Sequence, residues 1–277
     1  MANNIFKDLF VLDMANNHYG NINHAKNIVR LFSSVQKKHK IKATIKFQFR
    51  DLPNFVHKKY RDKDIKYVRR FLDTRLSDEG FLKLFKFIKK NNFLTSCTPF
   101  DEKSVTKIEK IGFDILKIAS VSALDFNLHE RVVKNKIPKI ISTGGIKIED
   151  IDKIVSFYSK KNQKFAIMHC VSIYPTENKK LNLKFIQSLK DRYNDIPIGW
   201  STHEDPGENL PGAIALAFGA SIFEKHIGIE SKKYPLNKYS ITPAKLDEWL
   251  ESFKKSKLMI GKYEKDIFND EKSTIKN

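Results

Sequence analysis

A single TIM-type (β/α)8 barrel is the fold class this sequence predicts, and three observations predict it. Short apolar runs alternate with helix-spaced patterns through almost the whole chain, which implies parallel strands covered by helices. The runs number eight, the count that closes into a barrel. Two of them end in histidine within twenty-five residues, at Ile198–His203 and Ile222–His226, as side chains converging on a shared crevice would.

Taken in order, the candidate strands lie near residues 9–14, 43–49, 93–97, 113–119, 138–142, 164–170, 197–201 and 221–226. Between them, Ala25, Ile28, Phe32 and Val35 recur at helical spacing, as do Ile148, Ile151, Ile154 and Tyr158, and then Leu183, Ile186, Leu189 and Tyr193. The polar stretch from Pro53 to Gly80 reads as an excursion after the second strand. Thr143-Gly144-Gly145 reads as a tight turn into the helix that begins near Lys147. An open doubly wound sheet is the competing architecture, but no GxGxxG follows the first strand. Residues 1–262 are expected to form the barrel and residues 263–277 a charged tail with no second domain.

With 277 residues and 41% hydrophobic side chains, the chain can bury one large core. Cys97 and Cys170 supply neither a disulfide framework nor a thiolate metal set, and both follow apolar runs, so they are expected to be buried and reduced. There is neither a signal-like amino terminus nor an apolar run of 18 residues. The expectation is a cytoplasmic protein with no membrane insertion. Lys and Arg outnumber Asp and Glu by 51 to 32, a formal charge of +19. The lysines are scattered rather than gathered into an arm, which argues against nucleic acid and for a field that draws in small anions.

Strand ends carry the chemistry. In Ile45-Lys46-Phe47-Gln48-Phe49, alternation puts Lys46 and Gln48 on one side and the phenylalanines on the other, so the polar pair faces the barrel. Lys117, between Leu116 and Ile118, offers a second inward cation, and two lysines near hydroxyls make an anion site. His203 and His226 are candidate ligands of one divalent ion. Without nearby thiolates, Mn2+ or Mg2+ completed by oxygens suits them better than structural zinc.

The segments Asp13–Gly20, Ile45–Gln48, Thr98–Asp101, Lys117–Ser120, Ser142–Gly144, His169–Thr176, Gly199–His203 and Glu224–His226 together resemble the barrel domain of the sialic acid synthase family. That family condenses phosphoenolpyruvate with N-acetylmannosamine or a related amino sugar. The resemblance implies that Lys46, Lys117, Ser120, Ser172 and Ser201 hold phosphoenolpyruvate, that His203 and His226 bind the metal, and that Gln48 and Tyr174 face the sugar. The catalytic set it implies is Asp13, Lys46, Gln48, Lys117, Tyr174 and His226. The chain departs from the family pattern at Asp13, where Glu is usual, and at Ser122, Thr202 and Asn237, where acids are expected. The family's small antifreeze-like carboxyl-terminal domain is not expected, so closure of the mouth would fall to a homodimer or a separate lid-supplying protein. Another phosphoenolpyruvate-dependent aldol-type synthase and a noncatalytic sugar-phosphate-binding protein are the alternatives.

Overall fold

The computed structural model describes residues 5–262, 264–265 and 267–275. Within them the order is β1 (Leu9–Asp13), α1 (Ile22–His39), β2 (Lys42–Phe49), α2 (Leu52–Phe55), α3 (Lys66–Asp73), α4 (Asp78–Lys90), β3 (Leu94–Pro99), α5 (Glu102–Ile111) and β4 (Ile115–Ile118). There follow α6 (Phe126–Val132), β5 (Lys139–Ser142), α7 (Ile148–Lys160), β6 (Phe165–Cys170), α8 (Phe185–Arg192), β7 (Ile198–Ser201), α9 (Leu210–Ala217), β8 (Ile222–His226), α10 (Pro243–Ile260) and α11 (Asn269–Ile275). Among the described residues β1–β8 close into one parallel barrel, with each strand beside its neighbours in sequence and β1 beside β8. The predicted fold class is therefore borne out, and every expected strand falls within two residues of its predicted bounds.

Local chemistry sets the helix limits. Asn21 caps α1 by accepting from the His24 amide, Ser77 caps α4 at Gly80, and Asp101 caps α5 at Ser104. Gly112, at φ +88°, ends α5 in a conformation that side chains rarely adopt. The Pro53–Gly80 excursion is more ordered than a polar loop: it contains α2 and α3 and the start of α4. Of the expected tail, Tyr263, Asp266, Lys276 and Asn277 lie outside the described residues, while α11 buries none of its side chains.

Alternation sorts each strand into two environments. Phe10, Leu12, Ile45, Phe47, Leu116, Ile118, Trp200 and Phe223 join the large layer between strands and helices. Leu9, Val11, Ile115, Ile140, Ala166, Met168 and Ile222 form a smaller apolar plug inside the barrel. Gly199 belongs to that crowded interior, since a Cβ there would sit 2.2 Å from Met168 Sδ. Above the plug the same inward faces turn polar, and Asp13, Lys46, Lys117, Ser142, Ser201 and Glu224 are all buried there.

Candidate active site

The polar interior opens at the carboxyl ends of the strands into a cavity of about 700 Å³. Strand register builds its floor: Asp13 pairs with Lys46 on one side and with His226 on the other, and Ser201 pairs with Glu224. Lys46 Nζ lies 2.9 Å from Asp13 Oδ2 and 3.3 Å from Glu224 Oε1. Lys117 donates to both Glu224 oxygens, at 2.9 and 3.1 Å, and Ser201 donates to Glu224 Oε1 at 3.2 Å. One carboxylate thus holds both inward lysines from across the barrel.

Burial alone would neutralise these groups, and their mutual attraction decides otherwise. Burial acts to lower Lys46, yet Asp13 and Glu224 outweigh it and hold the ammonium more basic than usual. For Glu224 burial acts to raise the carboxyl, but Lys117 and Lys46 prevail and keep it ionised. Lys117, with Glu224 for it but Lys46 against it, ends below the ordinary lysine value, burial being the largest cause. Of the two cations it gives up its proton more readily.

A hydroxyl cradle faces the lysines. The Gly144 amide donates to Ser120 Oγ at 3.0 Å, and a Cβ on Gly144 would meet Ser172 Oγ at 2.4 Å and Ser120 Oγ at 2.9 Å. Glycine is what allows the turn after β5 to approach the two serines, so the expected tight turn also forms cavity wall. Cys170 lies beside the cradle with its thiol pushed up by burial, which suits a packed side chain and not a nucleophile.

The two histidines stand side by side, ring centroids 5.3 Å apart. His203 Nδ1 is 3.1 Å from the Val171 carbonyl, which can only accept, so Nδ1 carries the proton and Nε2 keeps a free lone pair. Burial, then the neighbouring His226, hold His203 down to about 3, and burial lowers His226 as well. His226 Nδ1 approaches Asp13 Oδ2 at 3.4 Å but without hydrogen-bond geometry, and it is buried with no hydrogen-bond partner. Both rings are therefore neutral donors, the form a metal ion requires. No group of three His, Cys, Asp or Glu side chains is arranged around an ion site among the described residues. The pair fits an ion that takes its remaining ligands from water or substrate oxygens.

Asp13, Lys46, Gln48, Lys117, Ser120, Ser172, Tyr174, Ser201, His203 and His226 all line this one cavity. Other strand-end residues do not. His169 bonds the Leu181 carbonyl and packs on Phe185 in the outer layer, and Lys225 pairs with Glu204 at 2.8 Å over Trp249. Asn17 is spent on the Ile227 carbonyl and Ser240, and Thr95 on Asp114. Of the departures from the family pattern, Asn237 lines the cavity and Ser122 and Thr202 do not.

The sequence put Glu224 at the end of β8, within the Glu224–His226 segment, but gave it no role, although it shares the inward face of that strand with His226. Arg50, Lys66, Arg70, Phe71 and Tyr239 also line the cavity without having been singled out, and Phe100, in the Thr98–Asp101 segment, had no role assigned. Alternation could have found Glu224 and Arg50; nothing in the sequence placed α3 over the mouth.

A family model described as the NeuB family matches residues 35–265. The chain belongs to the NeuB family. This bears out the resemblance drawn from the motifs. Among solved structures similar to this chain, a putative spore coat polysaccharide biosynthesis protein E from Chromobacterium violaceum is 40% identical with a TM-score of 0.94, over 97% of this chain and 81% of that one. An N-acetylneuraminic acid (sialic acid) synthetase from Leptospira borgpetersenii is 28% identical with a TM-score of 0.83, over 96% and 90%. An N,N'-diacetyllegionaminic acid synthase from Campylobacter jejuni is 27% identical, over 87% of this chain and 73% of the relative.

Proposed function

We propose that this NeuB-family chain joins phosphoenolpyruvate to the open-chain aldehyde of an amino sugar, forming a nine-carbon 2-keto acid and releasing phosphate. The observation that carries the proposal is the meeting of two inward lysines, a hydroxyl cradle and two neutral imidazoles in one cavity at the strand ends. A compact trianion needs such cations and donors, and an aldehyde beside it needs an oxygen-polarising group. The relatives bear the names of different nonulosonic acid synthases, so the reading commits to N-acetylmannosamine or a related amino sugar and to no single one.

Lys46 and Lys117 hold the carboxylate and phosphate, helped by Ser120, Ser172 and Ser201. C3 of phosphoenolpyruvate attacks the aldehyde carbon, and the aldehyde oxygen takes a proton to become a hydroxyl. Water then adds at C2, and the bond from C2 to the phosphate oxygen breaks. A divalent ion, Mn2+ or Mg2+, held by His203 and His226 would supply polarisation of the aldehyde oxygen. Asp13, between Lys46 and His226, is the carboxylate placed to manage protons at that end. Gln48 donates to Asp13 Oδ2 at 3.3 Å and, with Tyr174, meets the sugar.

Phosphate release, measured with phosphoenolpyruvate and a panel of amino-sugar aldehydes, should require both substrates, and mass spectrometry should find the joined product. Lys46→Ala and Lys117→Ala should each weaken phosphoenolpyruvate in calorimetry by about 10- to 100-fold, the scale of a lost charge-assisted hydrogen bond. Unchanged affinity in both variants would falsify the anion site. Association as a homodimer, or with a chain that closes the mouth, belongs to the same proposal. Sedimentation across concentration and salt tests the dimer, and a monomer throughout contradicts it.

A further inference from the structure

The loop after β8 closes back on its own strand and carries a side chain that the reaction as proposed does not use. Ile227 bridges to Ile241, the Ile241 amide donates to the His226 carbonyl at 2.8 Å, and the Gly228 amide donates to the Ile241 carbonyl at 3.2 Å. Buried Asn17 ties the loop together from inside: its Nδ2 donates to the Ile227 carbonyl and to Ser240 Oγ, and its Oδ1 accepts from Asn237 at 3.4 Å. Asn237 Oδ1 in turn accepts from the Tyr239 amide at 3.2 Å. The tip is fastened at the start of α1, where Tyr19 donates to the Pro235 carbonyl and the Tyr234 ring lies 4.0 Å from that of His24.

So held, the half-buried Tyr239 ring lies in the cavity wall against both imidazoles. It stands edge-to-face to His226, with centroids 5.1 Å apart and planes at 80°, and to His203 at 6.0 Å and 89°. The two histidines differ in what else orients them. His203 has Nδ1 fixed on the Val171 carbonyl and the Tyr174 ring 4.1 Å away. Among the described residues the ring of His226 makes no hydrogen bond, although a metal-binding histidine ordinarily has its second nitrogen held by one. Rotation about the last bond of a histidine side chain is soft, so in the absence of that bond packing must choose the ring angle. Tyr239 is the neighbour placed to choose it.

We propose that Tyr239 is a positioning residue for the imidazole pair, its ring holding His226 at the angle from which His226 and His203 can donate to one divalent ion. This rests on the synthase reading with its metal and adds to it a residue outside the strand ends. The part played is one of shape: the aromatic ring matters, and its hydroxyl, which makes no hydrogen bond among the described residues, does not.

The test titrates Mn2+ by calorimetry, without substrates, into the full chain and into Tyr239→Leu, Tyr239→Phe and His226→Ala variants, with a metal-free phosphoenolpyruvate titration beside each. Tyr239→Leu should weaken Mn2+ by about 10- to 100-fold, the scale on which outer partners of metal ligands act. Tyr239→Phe, which keeps the ring, should bind Mn2+ as the parent does. Both should bind phosphoenolpyruvate as the parent does, which also shows that the barrel is folded. Parental Mn2+ affinity in Tyr239→Leu overturns the inference and leaves the synthase reading intact. An equal loss in Tyr239→Phe overturns it too, because the hydroxyl and not the ring would carry the effect. A joint fall of Mn2+ and phosphoenolpyruvate affinity in Tyr239→Leu likewise overturns it, since the ring would then support the whole mouth and not the imidazoles. A parent that binds no Mn2+, or that binds it equally well after His226→Ala, removes the metal from the synthase reading and this inference with it.

Discussion

At the residue scale the decisive side chain is Glu224. It neutralises two lysines in a site where none of the three charges would persist alone, and removing one partner of such a buried network costs about 3–5 kcal/mol. Glu224→Gln should therefore lower the melting temperature. Added phosphate should recover more stability in that variant than in the parent, because the anion supplies the missing charge. Thermal melts with and without phosphate check this; equal recovery would show that the lysines do not share an anion site. Lys46 and Gln48 were legible because a strand alternates faces, and alternation is a local property. Arg70 was not, because helix periodicity says which side of α3 is apolar and nothing about which strand end the helix covers.

At the element scale, loops and helix contacts set tolerances that glycine reveals. A Cβ on Gly212 would come within 2.4 Å of the Trp249 ring, and Trp249 is packed among Phe10, Phe223 and Phe253 and cannot yield. Gly212→Ala should push α9 from α10 and cost about 1–3 kcal/mol of stability by overpacking, read by denaturant unfolding. Its calorimetric affinity for phosphoenolpyruvate should hold, since neither residue lines the cavity. Gly144→Ala should do the reverse, weakening phosphoenolpyruvate through the displaced Ser172 and Ser120 hydroxyls with little loss of stability. Similar effects from the two substitutions would contradict this division between frame and site.

At the scale of the whole molecule, acid should unfold the chain in a defined window. Burial holds His18 down to about 4 and His203 to about 3, and it also lowers His129 and His169. As pH falls below the ordinary histidine value of about 6.5, the unfolded chain takes up protons that the fold refuses, so stability is full above that pH and declines toward the folded values. A shift like that of His18 is worth about 3 kcal/mol once pH has dropped through the window. Below the ordinary carboxyl range Glu224 adds to the same slope, because its lowered value means stability present at neutral pH and lost in acid. Melting temperatures should plateau above pH 6.5 and drop steadily from there to pH 4. A flat profile across that interval would show that these imidazoles are accessible in the folded chain. Among the described residues no helix is long and apolar enough to cross a membrane.

The sequence by itself determined the strand count, the inward faces and the strand-end residues, since all three follow from periodicities of two and 3.6 written along the chain. It could carry His203 and His226 to the same rim because matching strand ends in a barrel share one mouth. What only the tertiary structure decided is which of these groups touch. Register between β1, β2 and β8 puts Asp13 between Lys46 and His226, and closure of the barrel lets Glu224 reach Lys117 from β8 to β4. Those contacts depend on how far each strand slides past its neighbour and on the barrel's diameter, and neither quantity is encoded within any single stretch of chain. The same holds for α3, distant from the strand-end motifs in pattern and polarity, which the packing of its Phe71 against Arg50 brings to the cavity wall.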